Sequence, residues 1–205
     1  MKAFLVANPK GGSGKSTLAT NLAGWLARQG HAVMLGDLDS QQSARHWLAL
    51  RPPQLPPIRR WEIVDGDVVR PPKGTTHVVL DTPAGLHGKR LDEVMKLADK
   101  VIIPLQPSIF DIHATHAFVR DLLAHRRSDK AKFAVVGMRV REGTISTDHL
   151  RAFVEGLKVP VLGFLRDTQN YVHLAAHGLT LWDVSSSRFE RDLEQWKPVI
   201  DWVDA

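Results

Sequence analysis

The run Lys10-Gly11-Gly12-Ser13-Gly14-Lys15-Ser16-Thr17 gathers three glycines, two lysines and three hydroxyls into one short stretch. Glycines let successive backbone N–H groups converge on an anion without Cβ obstruction. Lys15 can then reach β- and γ-phosphates as a point charge, and the Ser16 hydroxyl can ligate a Mg²⁺ that bridges the phosphate oxygens. Such a run supports the binding of a nucleoside polyphosphate by Gly11, Gly12, Ser13, Gly14, Lys15, Ser16 and Thr17.

Carboxylates follow at two further places. Asp37-Leu38-Asp39 comes after the apolar run Ala32-Val33-Met34-Leu35-Gly36, and two carboxylates spaced by two on an extended segment share one side. Asp39 could equally serve as a helix N-cap. His77-Val78-Val79-Leu80-Asp81 is an apolar strand ending in an acid, the pattern of a Walker B box whose carboxylate holds Mg²⁺. The metal ligands expected from the glycine-rich run and this box are therefore Ser16 and Asp81, and Thr82-Pro83-Ala84-Gly85 is expected to sense the γ-phosphate.

These residues need elements to position them. The glycine-rich run follows the apolar stretch Ala3-Phe4-Leu5-Val6-Ala7 and opens a helical pattern with Leu18, Leu22 and Leu26 on one face. Gly30 suits the left-handed position that ends such a helix. Alternating patterns predict strands near 3–7, 32–36, 77–81, 101–105, 133–138 and 161–165. They predict helices near 15–29, 41–50, 88–98, 111–126, 147–157, 168–177 and 187–203. This alternation predicts an α/β fold, a mostly parallel twisted sheet with helices on both faces, in a single P-loop NTPase domain spanning 1–205. The proline-rich patches 51–57 and 70–74 read as surface loops.

The pattern K-G-G-x-G-K-S-T, with Lys10 added to the usual Lys15, resembles the deviant Walker A box of the ParA/MinD family. So do Asp37-Leu38-Asp39-Ser40-Gln41, with Ser40 where the family usually has proline, and the third box at Asp81. Residues 98–108, 160–166 and 175–180 extend the resemblance over nearly the whole chain. The resemblance implies an ATPase that uses ATP and Mg²⁺, with Lys10, Lys15 and Asp39 as catalytic residues. Asp39 would orient or deprotonate the attacking water, and Asp37 would support the Mg²⁺ shell. Lys10 would reach across an ATP-sandwich homodimer to the partner's nucleotide, where a cation supplied in trans neutralises γ-phosphate charge. Two departures stand out. Met138-Arg139-Val140 replaces a text like N-R-V whose asparagine reads adenine, and residues 51–76 are short where relatives often place another helix.

Composition narrows the function. With 43% hydrophobic residues among 205 the chain can bury a sizeable core, and it contains no cysteine, which excludes a disulfide framework or a thiolate-held iron–sulfur cluster. The single tyrosine excludes the tyrosine kinases of the superfamily. No signal peptide is expected, and the compartment expected is the cytoplasm, in association with the nucleoid. A net charge of +5 favours a polyanion. Candidate contacts to non-specific DNA are Arg166, Arg139, Arg141, Arg188, Arg191 and Lys197, with Arg166 matching an arginine that partition proteins use.

The resemblance thus implies plasmid or chromosome partition, or positioning of a protein cargo, with hydrolysis stimulated by a ParB-like or other adaptor. Recruitment to a membrane, as in the division-site branch, is the alternative, and a small-molecule ligase of the same fold is a further one. The C-terminal stripe Phe189, Leu193, Trp196, Ile200 and Val203 carries too many acids opposite it to suit anionic lipid. It is expected to pack on the domain, started by a Ser187–Glu190 capping box and interrupted at Pro198. His113 with His116, and His173 with His177, have helical spacings that could hold a metal, but no third ligand accompanies either pair. Trp47 is expected in the core.

Overall fold

Period-two alternation decides which face of the sheet each strand residue serves. Ala3, Leu5, Val101, Ile103, Val78 and Leu80 fall into one buried layer, whereas Phe4, Val6, Ile102 and Val79 fall into the other. The computed structural model describes residues 1–61, 63–64, 67–68, 71–185 and 187–205. In chain order the elements are β1 (Lys2–Val6), α1 (Lys15–Arg28), β2 (Val33–Asp37), α2 (Ser43–Leu50), β3 (Ile58–Trp61), β4 (Ile63–Val64), β5 (Asp67–Val68) and β6 (His77–Asp81). There follow α3 (Gly88–Met95), β7 (Lys100–Leu105), α4 (Ile109–Ala124), β8 (Lys132–Val140), α5 (Ile145–Glu155), β9 (Val161–Arg166), α6 (Gln169–Ala175) and α7 (Glu190–Asp204).

Seven strands form one sheet in the order β3-β2-β6-β1-β7-β8-β9, and every pairing in it is parallel. Side chains of α3, α4 and α5 pack on one face, and those of α1, α2, α6 and α7 on the other. β1 lies at the centre, with β6 and β7 on either side, so the loop leaving its carboxyl end sits where such sheets bind ligands. Gly30, at φ 81°, closes α1 as its sequence position suggests.

Three local expectations change. Proline-rich residues 51–57 do form a loop, but they lead into an edge strand the sequence reading lacked, β3, paired with β2, and β4 and β5 form a small antiparallel pair. Val33 and Leu35 thereby gain a partner strand at the edge. Arg70, in the second proline-rich patch, lies outside the described residues. At the C-terminus no Ser187–Glu190 capping box forms: Ser187–Phe189 is a 3₁₀ turn, and α7 starts at Glu190 without a side-chain cap. Instead, Thr180 and Asp183 make a reciprocal capping box on the turn Leu181–Asp183. α7 runs through Pro198 and buries Trp196, Val199, Ile200 and Val203 against the sheet. That burial holds the helix together where the ring removes a backbone donor.

Buried polar ties join the segment 166–192 to the rest. The Arg51 guanidinium donates to both carboxylate oxygens of Asp183, at 2.8 and 3.2 Å, and to the Gly178 carbonyl. Gly178, at φ 66°, lies so close to the Leu50 and Arg51 backbone that a Cβ would collide with it. Burial alone would raise the Asp183 carboxyl, but hydrogen bonds from Arg51 and Thr180 hold it below the usual carboxylate range.

Candidate functional site

Strand register gathers the three sequence boxes. Asp81 pairs in register with Val6 of β1 on one side and with Asp37 of β2 on the other. The two carboxylates therefore stand on adjacent strands at the lip from which the glycine-rich loop departs. The Thr82 hydroxyl donates to the Val6 carbonyl at 2.9 Å, and the Gly85 N–H donates to the Pro9 carbonyl at 2.9 Å. The loop after β6 is thus tied to the loop after β1.

The glycine-rich loop takes the conformation its composition allows. Gly12 and Gly14 have φ of 75° and 99°, in the region that L side chains rarely adopt. Any Cβ on Gly14 would also meet the Met138 side chain. Lys15 is buried, and its ammonium donates to the Lys10 carbonyl at 2.8 Å. Burial lowers its pKa, while Asp81 and Asp39 oppose the shift. Ser13, also buried, donates to the same Lys10 carbonyl at 3.2 Å. Ser16 and Thr17 open α1, so their N–H groups belong to the unpaired first turn of the helix.

The carboxylates divide their work differently from the sequence expectation. β2 ends at Asp37, so strand alternation does not place Asp39, which lies in the turn beyond. One Asp37 oxygen accepts from the Asp39 N–H at 3.0 Å, and the other accepts from the N–H groups of Ala44 and Arg45 at 2.8 and 3.1 Å. The anion at the start of α2 is thus Asp37, not Asp39. Asp39 instead accepts from the Gln41 N–H at 3.0 Å. This turn chemistry holds the two residues in one loop without putting them on one strand face.

Asp81 is 1% exposed, and neither of its carboxylate oxygens has a hydrogen-bond partner among the described residues. Burial pushes its carboxyl up to about 7; Asp37 adds to the shift, while the nearby Ser16 hydroxyl and Lys15 oppose it. A buried anion without donors fits a divalent cation, which supplies the missing charge. The donor set of Ser16, Asp37 and Asp81 is all oxygen, as Mg²⁺ requires.

Two anchors of the loop escaped sequence reasoning. Asn8 is fully buried: its amide donates to the Pro104 carbonyl at 2.7 Å and the Thr115 hydroxyl at 2.9 Å, and its oxygen accepts from the Lys10 N–H at 2.8 Å. The Gln106 amide donates to the Gly12 carbonyl. The one sequence signal for Asn8 is a polar residue directly after an apolar strand.

Beside Gly14 and Thr17 opens a cavity of about 680 Å³, with Met138, Asp167, Thr168 and Tyr171 in its walls. Met138 is buried in its floor and offers no polar edge to a base. Arg139, Arg141 and Arg166, expected on a DNA-binding face, also line this cavity. Arg166 donates to both oxygens of Asp192, at 2.6 and 3.1 Å, and this hydrogen-bonded carboxylate raises its pKa. Arg188 donates to the side-chain amide oxygen of Asn170 at 2.9 Å. Arg191 is exposed, whereas Lys197 lines a different cavity, between α1 and α7. Of the expected DNA contacts, Arg139, Arg141 and Arg166 thus share one cavity, and Lys197 lines another.

Comparison with known proteins agrees with this geometry. Residues 4–181 match the family described as the CobQ/CobB/MinD/ParA nucleotide binding domain. The chain is 29% identical over 180 residues, covering 78% of each protein, to "Maintenance of carboxysome distribution protein A" of Halothiobacillus neapolitanus. Two solved structures share the fold. The septum site-determining protein MinD of Pyrococcus horikoshii, complexed with Mg-ADP, superposes with a TM-score of 0.78 at 16% identity, over 99% of this chain and 96% of that one. An aspartate-to-alanine variant of Cyanothece McdA in complex with ATP superposes with a TM-score of 0.74 at 16% identity, over 97% and 96%. With the loop, the donorless Asp81 and the strand order in agreement, the chain belongs to the CobQ/CobB/MinD/ParA nucleotide binding family and is one of its ATPases.

Proposed function

We propose that this ATPase closes into an ATP-sandwich dimer, binds DNA without sequence preference, and positions or segregates a cargo until an adaptor protein stimulates hydrolysis. The observation that carries the reading lies at the lip of the site. Lys10 is partly exposed there, and Ile109 and Phe110, 51% and 75% exposed, begin α4 close to Gln106, which holds Gly12. A large aromatic left in water beside a phosphate-binding loop favours burial by a second copy, which would bring Lys10 to the partner's nucleotide.

Within each site the residues have distinct tasks. Residues 11–17 cradle the phosphates, Lys15 leaves the Lys10 carbonyl for the phosphate charge, and Ser16, Asp37 and Asp81 hold the cation that neutralises it. Asp39 orients or deprotonates water, and Lys10 acts in trans. The relative's name supports a protein assembly as cargo, alongside a plasmid or chromosome. Pairing two copies would double the number of cations facing DNA. Arg139, Arg191 and Lys197 would meet phosphates, with Arg141 and Arg188 beside them, whereas Arg166 would have to exchange Asp192 for phosphate. The apolar stripe of α7 is buried on the sheet, which withdraws it from lipid.

The test measures the mass of the Asp39→Ala variant with ATP, ADP or no nucleotide, and its binding to random duplex DNA over a range of salt. ATP-dependent dimers that bind DNA and lose affinity with salt, both abolished by Lys10→Ala, are expected. An ATP-bound monomer overturns the sandwich, and a dimer indifferent to DNA at low salt overturns the DNA-tethered reading.

A further inference from the structure

Four neighbouring strands of the sheet, β6, β1, β7 and β8, each begin with a basic residue: His77, Lys2, Lys100 and Lys132. Their pairings are parallel, so the four starts share the lip of the sheet opposite the nucleotide site. Register sets His77 beside Lys2 and Lys132 beside Lys100. At about 4.8 Å per strand the row runs about 14 Å. Two of its members serve the fold. His77 is buried against Phe4, and Lys100 is buried and donates to the Trp202 and Val203 carbonyls at 2.7 and 2.8 Å. Lys2 and Lys132 are exposed.

The connections that enter this lip add four more cations: Lys96 at the end of α3, and Arg126, Arg127 and Lys130 between α4 and β8. All are exposed except half-buried Arg127, and none of the six makes an ion pair among the described residues. Acids stand near them, but two are engaged: Asp99 accepts from the Ala3 N–H at 2.7 Å, and Asp92 is held by His125 at 2.7 Å. Exposed Asp129, Glu155 and Asp204 complete the set at this end. Two buried groups register the excess of positive charge. After burial itself, Lys2 and Lys132 are what lower the Lys100 pKa, against Asp204 and Asp99, and His31, Lys2 and the N-terminus lower that of His77.

Unpaired cations held at strand spacing suit a polyanion with regularly spaced charges. Each strand of duplex DNA presents a phosphate every 3.4 Å along the axis, so the row spans about four of them. Lipid would need an apolar face inserted along with the charges. Exposed Ile109, Phe110 and Ile145 open helices at the other lip, whereas beside these cations in the chain stand Met1 and Leu123, which come from separate segments.

We infer that the strand-start lip, through Lys2, Lys96, Arg126, Arg127, Lys130 and Lys132, contacts the phosphate backbone of duplex DNA at the end of the sheet opposite the nucleotide. The inference rests on the DNA-binding reading above and adds a second surface to the cations near the nucleotide site.

The test measures binding of random duplex DNA by the full chain with Mg-ATP, in the Asp39→Ala background, over a range of salt. Lys2→Ala combined with Lys132→Ala should make the slope of log K against log salt shallower by about two and weaken binding about tenfold. Lys89→Ala combined with Arg120→Ala removes the same charge from exposed positions elsewhere and should leave the slope unchanged. Unchanged thermal stabilisation by Mg-ADP shows that both double variants fold. If the parent binds DNA and the lip variant keeps the parent's slope, or if both double variants change it equally, the lip is overturned while the DNA-binding reading stands. A parent that ignores DNA at low salt overturns both. Tighter binding to phosphatidylglycerol vesicles than to the duplex, lost in the lip variant, would overturn the inference by making lipid the occupant.

Discussion

Asp81 at the end of β6 and Asp183 in the turn after α6 are both buried carboxylates, with opposite surroundings. Asp183 is enclosed by Arg51 and Thr180, and Asp192, a few residues on, by Arg166 and Asn170, so each carries its countercharge and donors within the chain. Asp81 has neither a donor nor an ion pair at hydrogen-bond distance among the described residues. The difference separates a carboxylate that holds the fold from one that waits for a ligand. A structural anion is worth burying only when its partners are supplied by the protein, whereas a cation-binding anion must be left short of them.

The contrast breaks first at Asp183. Asp183→Ala strands the buried Arg51 guanidinium and should cost about 3–5 kcal/mol in urea denaturation; a loss under 1 kcal/mol would mean that the ion pair is incidental. Because the folded Asp183 carboxyl is held below its unfolded value, its contribution is present above about pH 4 and lost as pH falls through the folded value.

Asp81→Asn should act in the other sense. It removes an unsatisfied charge, so the ligand-free protein at pH 8 should melt no lower than the parent. The stabilisation by Mg-ATP, about 3 kcal/mol at a hundredfold excess over Kd, should disappear together with turnover. A drop in ligand-free stability comparable to that of Asp183→Ala would erase the distinction.

A third test uses His77 at the opposite end of β6, 3.9 Å from the ring of His31 and stacked on Phe4. Burial, followed by the nearby charges of His31, Lys2 and the N-terminus, lowers its pKa to about 4. The unfolded chain binds that proton more readily, so stability should fall as pH drops from about 6.5 towards 4, by about 2 kcal/mol once screening by solvent is discounted. His77→Phe should flatten that slope. Asp81, whose folded pKa is raised, destabilises the ligand-free chain increasingly from about pH 4 to about 7, so in that window both groups titrate with opposite signs, and Mg²⁺ with nucleotide should remove only the Asp81 part.

The smallest effect on stability belongs to the lip. Phe110→Ser should change unfolding free energy by no more than about 0.5 kcal/mol, because the ring is already in water, yet weaken ATP-dependent self-association in sedimentation. Association unchanged by this substitution would place the dimer contact elsewhere.

Much of the fold was legible because its cues are local. The strand patterns at β1, β2, β6, β7, β8 and β9, the helix patterns and Gly30 need only near neighbours, and all appear close to where the sequence put them. The weak edge strand β3 was not legible, since Ile58-Arg59-Arg60-Trp61 becomes a strand through pairing with β2. Asn8 and Gln106 were missed for the same reason: their roles depend on carbonyls and a hydroxyl far away in the chain. Arg166 reads as an available cation until α7 brings Asp192 against it.

The sequence by itself determined the phosphate loop, the order of the boxes and the parallel α/β plan, because backbone freedom at glycine and hydrophobic periodicity are properties of adjacent residues. Only the tertiary structure decided which carboxylates carry partners: that Asp37 binds the start of α2, that Asp183 and Asp192 are neutralised, and that Asp81 is left without a donor. Burial and pairing are set by what the folded chain places around a group, and the deciding neighbours can be far away: Arg51 lies 132 residues from Asp183, and Arg166 lies 26 from Asp192.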